Sequence, residues 1–468
     1  MSDFYLNIAV DTPLHRIFDY LPIKNSARSD YQIGQRVFVS FGRLKKIGVI
    51  LNISSSTELS RKQLKPISQL IDRQPLISLD DLKLYKWAAN YYHHPIGEVL
   101  AQAFPKQLRA GLTPTIELTT RYALSKHGLT LDENSLKRSP RQLGLWHQLK
   151  NADAPVDRDF FSTLDWNWRS PLKSMIEKGW VTASQEHNTA THSPTTPLFD
   201  PNSAQQTAID SIAKALEGFQ VFLLDGVTGS GKTEVYLRLI QHVISAGKQV
   251  LILLPEITLT PQLAQRFRQR LTAQMVISHS GLNDTQRAQA WLRLKEGLAN
   301  ILLGTRSAVF TPMRTPGLII MDEEHDTSFK QQEGFRYSAR DIAVMRARDY
   351  SIPIVLGTAT PSLESLYNVQ QGRFKQLVLP ERTAGASHPD IRLLDCRNQT
   401  LDNHLSQSLL KAIGKTLERN EQVILFVNRR GFAPVLMCHS CGWVAQCRRC
   451  DSRLVIHKNA NLLRCHHC

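Results

Sequence analysis

Residues 226–236 read GVTGSGKTEVY, directly after the apolar run VFLLD at 221–225. Gly226, four residues, then Gly231, Lys232 and Thr233 is the spacing of a phosphate-binding loop set between a strand and a helix. The small residues Thr228, Gly229 and Ser230 let backbone amides wrap phosphate oxygens, and the following helix points its positive end at them. Lys232 is placed to neutralise the β- and γ-phosphates and the Thr233 hydroxyl to reach magnesium, so the pattern implies ATP with Mg²⁺.

Outward from this loop, apolar runs recur at 221–226, 250–255, 275–280, 300–305, 317–322 and 352–358, separated by helix-length segments. Continuous apolar strands alternating with helices predict a parallel sheet covered on both faces. One run ends as LIIMDEEH. There Asp322 can hold the magnesium shell, and Glu323 beside it is placed to orient and deprotonate an attacking water. In LGTATPSLES, Thr358 and Thr360 stand at the mouth of another strand, where ligands gather in such sheets. They bond either the catalytic carboxylates or a moving domain, or they only cap a helix over 362–369. Gln205, in DPNSAQQTAI, is a candidate reader of the adenine edge. QVILFV at 422–427 follows after a gap as a further strand.

The rest of the 468 residues has a different texture. Lys and Arg number 57 against 41 Asp and Glu, a net charge of +16, which points to a polyanionic partner such as nucleic acid. An apolar content of 42% supports proper cores, and the length allows three or four domains. No run of eighteen apolar residues predicts a membrane span, and MSDFYLNIAVD is not a secretory leader. Short apolar runs FYLNIAV, QRVFVSFG and KKIGVILNI, then a helical stretch broken at Pro95, predict a small β-rich domain over 1–105. Helices opening at Ser139–Pro140 and Ser170–Pro171, then Gly179 and a β-like segment, outline a winged helix over 106–184. QEHNTATHSPTTP lies in a linker over 185–200.

Six of the seven cysteines stand in C-x-x-C pairs near the C-terminus, an arrangement of a reducing cytosol rather than of a disulfide framework. Cys447 and Cys450 with Cys465 and Cys468 have close to the spacing of a zinc ribbon. Cys438 and Cys441 form a knuckle without a mate. The simplest account is a chain that continues past 468 into another such pair, with one complete zinc site here and two in the longer protein. Cys396, alone in LLDCRN, is expected to be a buried small hydrophobe.

The strings GVTGSGKTEVY, LLPEITLTPQL, HSGLN, ILLGTRSAVFTP, DEEHDTSFKQQEGFRYSARD, LGTATPSLES and VILFVNRRGFAP, in this order and followed by the cysteine cluster, resemble the PriA replication-restart helicases of superfamily 2. The resemblance implies a multidomain α/β chain. A P-loop RecA-like lobe over 201–395 is preceded by a DNA-end-binding domain and a winged helix that contacts parental duplex. A second, incomplete RecA-like lobe begins over 396–437, with the zinc-binding insertion at 438–468. It implies an ATP-driven 3′–5′ translocase that recognises stalled forks and D-loops and starts primosome assembly. The partners implied are forked and single-stranded DNA, single-stranded DNA-binding protein, PriB, DnaT and the replicative helicase loading system. The setting is cytoplasmic and nucleoid-associated.

By position, the resemblance makes Lys232 and Thr233 the phosphate and magnesium residues, Asp322, Glu323 and His325 members of the DEEH box, and Gln205 the adenine sensor. FKQQEGFRY becomes a loop coupling hydrolysis to DNA, with Phe329, Phe335 and Tyr337 able to stack on bases and Lys330 and Arg336 able to meet phosphate. The same residues also read as a surface loop tucking its aromatics inward. Phe18, Asp19, Gly42 and Lys65 become a pocket for a 3′ end, although the residues alone read Phe18 as core and Asp19 as a solvated turn. Arginines that the family's second lobe supplies are missing, so this chain is expected to bind ATP weakly and not to unwind DNA. Another superfamily 2 motor, or a DNA-binding module with an inert ATP site, are the competing readings.

Overall fold

The computed structural model describes residues 4–152, 155–158, 160, 161, 164, 166–186, 196–256, 261–382, 390–397, 401, 402, 405–426, 436–438, 440–448, 450, 453–457 and 462–465. The chain divides into two compact units, Met1–Gly385 and Ala386–Cys468.

The first unit opens with β1 (Tyr5–Val10), β2 (Phe18–Tyr20), β3 (Arg36–Phe41), β4 (Leu44–Ser54) and β5 (Gln69–Leu70), an antiparallel sheet in the order β2–β1–β4–β3–β5. Leu6, Ile8 and Val10 on β1 face one core with Val37 and Val39 on β3, the two-residue alternation of a half-buried sheet. Helices α1 (Leu79–Tyr91), α2 (Ile96–Ala103) and α3 (Lys106–Arg109) follow. Ser78 caps α1, its hydroxyl accepting from Asp81 N at 3.1 Å. Arg36 and Asp72 form a fully buried ion pair at 2.7 and 2.9 Å, and the same guanidinium donates to the carbonyls of Leu108 and Leu112. It staples the sheet to α3 and the chain just beyond it.

Next, β6 (Thr119–Leu124) pairs antiparallel with β7 (Val181–Glu186), closing α4 (Lys126–Leu129), α5 (Glu133–Leu136), α6 (Pro140–Lys150) and α7 (Arg169–Glu177) over a core of Trp146, Phe161 and Trp168. The expected order of helices, Gly179 and a β segment is present, with β7 pairing with β6 rather than forming a hairpin of its own. α6 starts at Pro140 as expected, whereas α7 starts one residue before Ser170. β7 runs on to Glu186 and Thr196 N already bonds Gln269 O at 3.0 Å, so most of the expected linker lies in 187–195, outside the described residues.

The lobe that follows holds α8 (Ser203–Ala213), β8 (Val221–Gly226), α9 (Lys232–Ser245), β9 (Gln249–Leu253), α10 (Pro261–Arg270), β10 (Met275–Ser278), α11 (Asp284–Lys295), β11 (Ile301–Gly304), β12 (Pro316–Asp322), α12 (Ala339–Asp349), β13 (Ile354–Thr358), α13 (Leu363–Gln370) and β14 (Phe374–Leu379). Its seven strands are all parallel, in the order β10–β11–β9–β12–β13–β8–β14. β14 was not foreseen. As an edge strand it alternates partly buried with exposed residues and lacks the continuous apolar run of the inner strands. Register places Asp322 beside Gly357, and Thr358 beside Asp225.

Helices α1 and α2 pack on this lobe. Tyr85 Oη donates to Phe310 O at 2.7 Å, Tyr350 Oη to Asp81 Oδ1 at 2.8 Å, and Trp291 Nε1 to Ala103 O at 3.1 Å. Buried Arg346 donates to the carbonyls of Val309 and Thr311.

In the second unit, β15 (Leu401–Asp402) pairs with β16 (Leu405–Ser406), α14 (Gln407–Glu418) is capped by Ser406, and β17 (Val455–His457) pairs with β18 (Leu462–Arg464). Residues 422–426 form no strand, correcting the expectation for QVILFV: no described residue pairs with them, and Ile424 and Phe426 stay exposed. A strand needs neighbours to pair its backbone groups, and an apolar one also needs layers packed on both faces. Cys396 is exposed rather than buried. Among the described residues, no helix is long and apolar enough to cross a membrane.

Candidate functional site

β8 delivers the chain to Gly226. The loop then turns through Gly229 (φ +80°) and Gly231 (φ +81°), both left-handed, and α9 begins at Lys232. A side chain at 226 would bring its Cβ within 2.5 Å of Ser230 Oγ. Ser230 is buried, and its hydroxyl has no hydrogen-bond partner among the described residues. Lys232 Nζ folds back onto Gly226 O at 2.9 Å. Thr228 and Thr233 are exposed, Thr233 at the head of α9. An orphaned hydroxyl, a lysine resting on its own loop and a helix N-terminus fit the phosphates of a nucleotide.

Gln205 is buried at the back of the loop. Its Nε2 donates to Ser230 O at 2.8 Å, while its Oε1 accepts from Asn202 N at 2.9 Å as half of a capping box. In this arrangement the amide braces the loop rather than presenting both ends to a base.

β12 carries Asp322 and Glu323 to the same edge. Tyr236 Oη, from α9, donates to Asp322 Oδ1 at 2.8 Å. Burial pushes the Asp322 carboxyl above its ordinary value, opposed by the Tyr236 hydrogen bond and the charge of Lys232. Burial, then the Asp322 charge, pushes the Tyr236 phenol well above its own, so it stays a donor. Glu323 is left-handed (φ +50°), a conformation costing a non-glycine residue about 1–3 kcal/mol. Asp326 N on Glu323 O (2.8 Å) and Glu324 N on Gly357 O (3.0 Å) hold it there.

His325 meets Thr358 and Thr360. Nδ1 lies 2.7 Å from Thr358 Oγ1, Thr360 Oγ1 lies 3.3 Å from Nε2, and Thr360 N donates to Thr358 Oγ1 at 3.0 Å. His325 Nδ1 also lies 3.7 Å from Glu323 Oε2. Glu324, which sequence reasoning passed over, is the buried hub between these segments. It accepts from Ser362 N (2.8 Å), Ser362 Oγ (3.1 Å), Ser365 Oγ (3.0 Å) and Arg340 Nη1 (2.7 Å). One carboxylate, one guanidinium and two serines, the farthest 41 residues away in sequence, gave no local signal of that meeting.

The loop 329–337 departs from its expected role. Phe329, Phe335 and Tyr337 are all buried, so none presents a ring to a base in this structure. Phe335 stacks on His94 (5.0 Å between centroids) and meets Tyr92 edge-on (5.7 Å). Tyr337, its phenol pushed up to about 12 by burial, packs against Phe310 and Phe335. The reason is an aromatic cluster formed by Tyr92 and His94, in the turn between α1 and α2, with Phe310, against which these two rings pack. Lys330 and Arg336 alternate outward and stay exposed, Lys330 lying 5.3 Å over the Tyr92 ring. Arg306 Nη1 fastens the loop through the carbonyls of Ser328 (2.9 Å) and Lys330 (3.2 Å).

Phe18, Asp19, Gly42 and Lys65 line one pocket of about 960 Å³ in the N-terminal sheet, with Asn7, Tyr20 and Thr57 among its other walls. Asn7 Nδ2 and Thr57 Oγ1 each donate to one oxygen of Asp19 at 2.6 Å, fixing the carboxylate. Phe18 is buried edge-on to Phe41 at 5.0 Å, with the Arg16 guanidinium 4.6 Å over its ring. Lys65 and Gly42 are exposed at the rim.

The sulfurs of Cys447, Cys450 and Cys465 lie within 4.8 Å of one another, and Cys450 and Cys465 are 3.5 Å apart. Thiolates at tetrahedral zinc stand about 3.8 Å apart, given Zn–S bonds near 2.3 Å. The three therefore fit one metal ion; Cys468 lies outside the described residues. Cys438 and Cys441 form a separate turn, where the amides of Cys441 and Ser440 hold the Cys438 thiol below its ordinary value.

Three family models match the chain: the PriA 3′DNA-binding domain over 7–105, the DEAD/DEAH box helicase over 202–369, and the PriA DNA helicase Cys-rich region domain over 447–468. Replication restart protein PriA of Haemophilus influenzae is 40% identical across 99% of this chain and 64% of its own length. That of Bacillus subtilis is 30% identical across 97% of this chain and 65% of its own. A structure of RecG bound to a three-way DNA junction is similar at 19% identity and a TM-score of 0.35, covering 47% of this chain and 28% of that one. The chain thus spans just under two thirds of the curated relatives it matches. Over nearly its whole length the chain is similar to these PriA replication restart proteins.

Proposed function

We propose that the chain carries the DNA-reading front end and the first motor lobe of an ATP-dependent 3′–5′ DNA helicase that recognises stalled forks and D-loops and starts primosome assembly. The observation that carries this reading is convergence. The phosphate loop after β8, the acidic pair after β12 and the threonines after β13 meet at the carboxyl ends of neighbouring strands. Gly226, Thr228, Gly229, Ser230 and Gly231 would wrap the phosphates, Lys232 would release its loop carbonyl to meet them, and Gln205 would brace the loop beside the base. Thr233 and Asp322 would hold magnesium, which when bound offsets phosphoryl charge. Glu323 would orient the attacking water and take its proton. His325, Thr358 and Thr360 would report the state of that site to the 329–337 loop, whose exposed Lys330 and Arg336 suit DNA phosphates.

In the N-terminal pocket Asp19 is a prepared acceptor. A terminal 3′-hydroxyl can donate to it; an internal, esterified 3′ oxygen cannot. Lys65 would neutralise the adjoining phosphate, Gly42 would let the sugar approach, and Phe18 would floor the site. The segments 1–105, 106–184, 201–395 and 438–468 would act as end-binding, duplex-binding, ATPase and zinc modules. One zinc would sit on Cys447, Cys450, Cys465 and Cys468, with Cys438 and Cys441 half of a second. Forked and single-stranded DNA, single-stranded DNA-binding protein, PriB, DnaT and the helicase-loading system would be partners in a bacterial cytoplasm, at the nucleoid.

ATP turnover over a panel of forked DNA, linear DNA and RNA tests the reading. Forks with an annealed 3′ end should stimulate most, and Lys232→Ala should abolish turnover while fork binding persists. Turnover that never exceeds background with any DNA would leave a non-catalytic binding module. Equal stimulation by RNA would indicate another superfamily 2 motor.

A further inference from the structure

Tyr236 stands one helical turn after Lys232 on α9, and only 2% of it is exposed, within the lobe's apolar core. A phenol buried in such a core needs a hydrogen-bond partner. It reaches one through an opening that the fold keeps clear. A Cβ at Gly357 would fall 1.6 Å from the Tyr236 oxygen, so any side chain there would block the path. Gly357 is the register partner of Asp322 across β12 and β13, which puts the opening directly beside the carboxylate. Through it Tyr236 Oη donates to Asp322 Oδ1 at 2.8 Å. Among the described residues no other side chain donates a hydrogen bond to Asp322.

We propose that Tyr236 is a positioning residue for the metal acid: it fixes the Asp322 carboxylate from the same helix that carries Lys232 and Thr233. Phosphate residues and the metal carboxylate then share one rigid mount, and their spacing is set before nucleotide arrives. A neutral donor suits this task. It aims the carboxylate without neutralising the charge a divalent cation needs, as an arginine or lysine in the same place would. The inference rests on the nucleotide-site reading above and extends it to a residue outside the phosphate loop and the acidic box.

The test is Tyr236→Phe in the full 468-residue chain, which keeps the buried ring and deletes only the donor. Binding of a fluorescent ATP analogue is titrated with magnesium chloride and repeated in excess chelator. Partners one step removed from a metal typically contribute ten- to a hundredfold to its affinity, so the apparent magnesium affinity should fall by about that factor. Affinity in chelator should not change. In an Asp322→Asn background the same substitution should add nothing, because Tyr236 acts through that carboxylate. A magnesium titration that superimposes on wild type overturns the proposal. So does a loss of equal size with and without magnesium, since that marks a merely structural role. A wild-type chain whose analogue binding is indifferent to magnesium overturns the nucleotide-site reading itself, and shows this before any variant is made.

Discussion

Replacing Phe335 with alanine separates a ring that binds DNA from a ring that holds two parts of the protein together. Phe335 is 6% exposed, stacked on His94 at 5.0 Å, edge-on to Tyr92 at 5.7 Å and against Tyr337 at 5.0 Å. Truncating a buried phenylalanine costs about 3–5 kcal/mol, from lost transfer energy and the cavity left behind. In a domain the size of this lobe each kcal/mol lowers the melting temperature by about 2–4 °C, so a drop on the order of 6–20 °C is expected. Trp87 and Trp291 sit at this junction, Trp87 edge-on to Tyr92, so two of the seven tryptophans report its melting, and the difference between wild-type and variant fluorescence curves is the readout. Equilibrium binding of a single-stranded oligonucleotide at low temperature is the companion assay and should change little. A variant that melts with the wild type yet loses single-strand affinity would put the ring on DNA and refute the reasoning.

Glu324→Ala should destabilise the lobe by on the order of 3 kcal/mol in chemical denaturation, because it strands Arg340 and buried donors from Ser362 and Ser365; Glu324→Gln, which keeps an acceptor, should lose less. Equal losses would argue against the carboxylate as the hub. Asp19→Ala should weaken binding to forks bearing a 3′ end at the junction by about tenfold or more and leave bare single strand unaffected. Parallel losses on both substrates would count against a terminus-reading pocket. Metal analysis should return one zinc per chain, and Cys450→Ser should release it; retention of zinc in that variant would move the site elsewhere.

The inner strands were legible because each is buried on both faces and reads as an unbroken apolar run. β14 was not, because among the described residues one edge of it meets no neighbour and polar residues intervene. The phosphate loop and the acidic pair are local motifs, so spacing alone located them. What joins them is not local. Tyr236 and Asp322 lie 86 residues apart, and the glycine that lets them touch is visible only once β12 and β13 are in register. Glu324 sat inside a recognised box, but its donors arrive from α12 and from the segment that opens α13. The aromatics of 329–337 left two readings open, rings for bases or rings tucked inward, and the structure has them inward. Residue types suited to stacking on bases are equally suited to packing on His94 and Tyr92 in the turn after α1, and only tertiary packing decides. Asp19 shows the reverse: its neighbours Asn7 and Thr57, from distant segments, make an acceptor site of what reads locally as a turn.

Lys232, Thr233, Asp322 and Glu323 are proposed to serve one metal–triphosphate. A crystal of the chain with a non-hydrolysable ATP analogue and Mn²⁺ tests it most directly, because anomalous scattering locates the cation without reference to the protein. A single peak is expected near the Thr233 hydroxyl and Asp322, with Lys232 turned from Gly226 O onto the phosphates. A peak away from Asp322, or nucleotide bound with Lys232 still on its loop carbonyl, would contradict it.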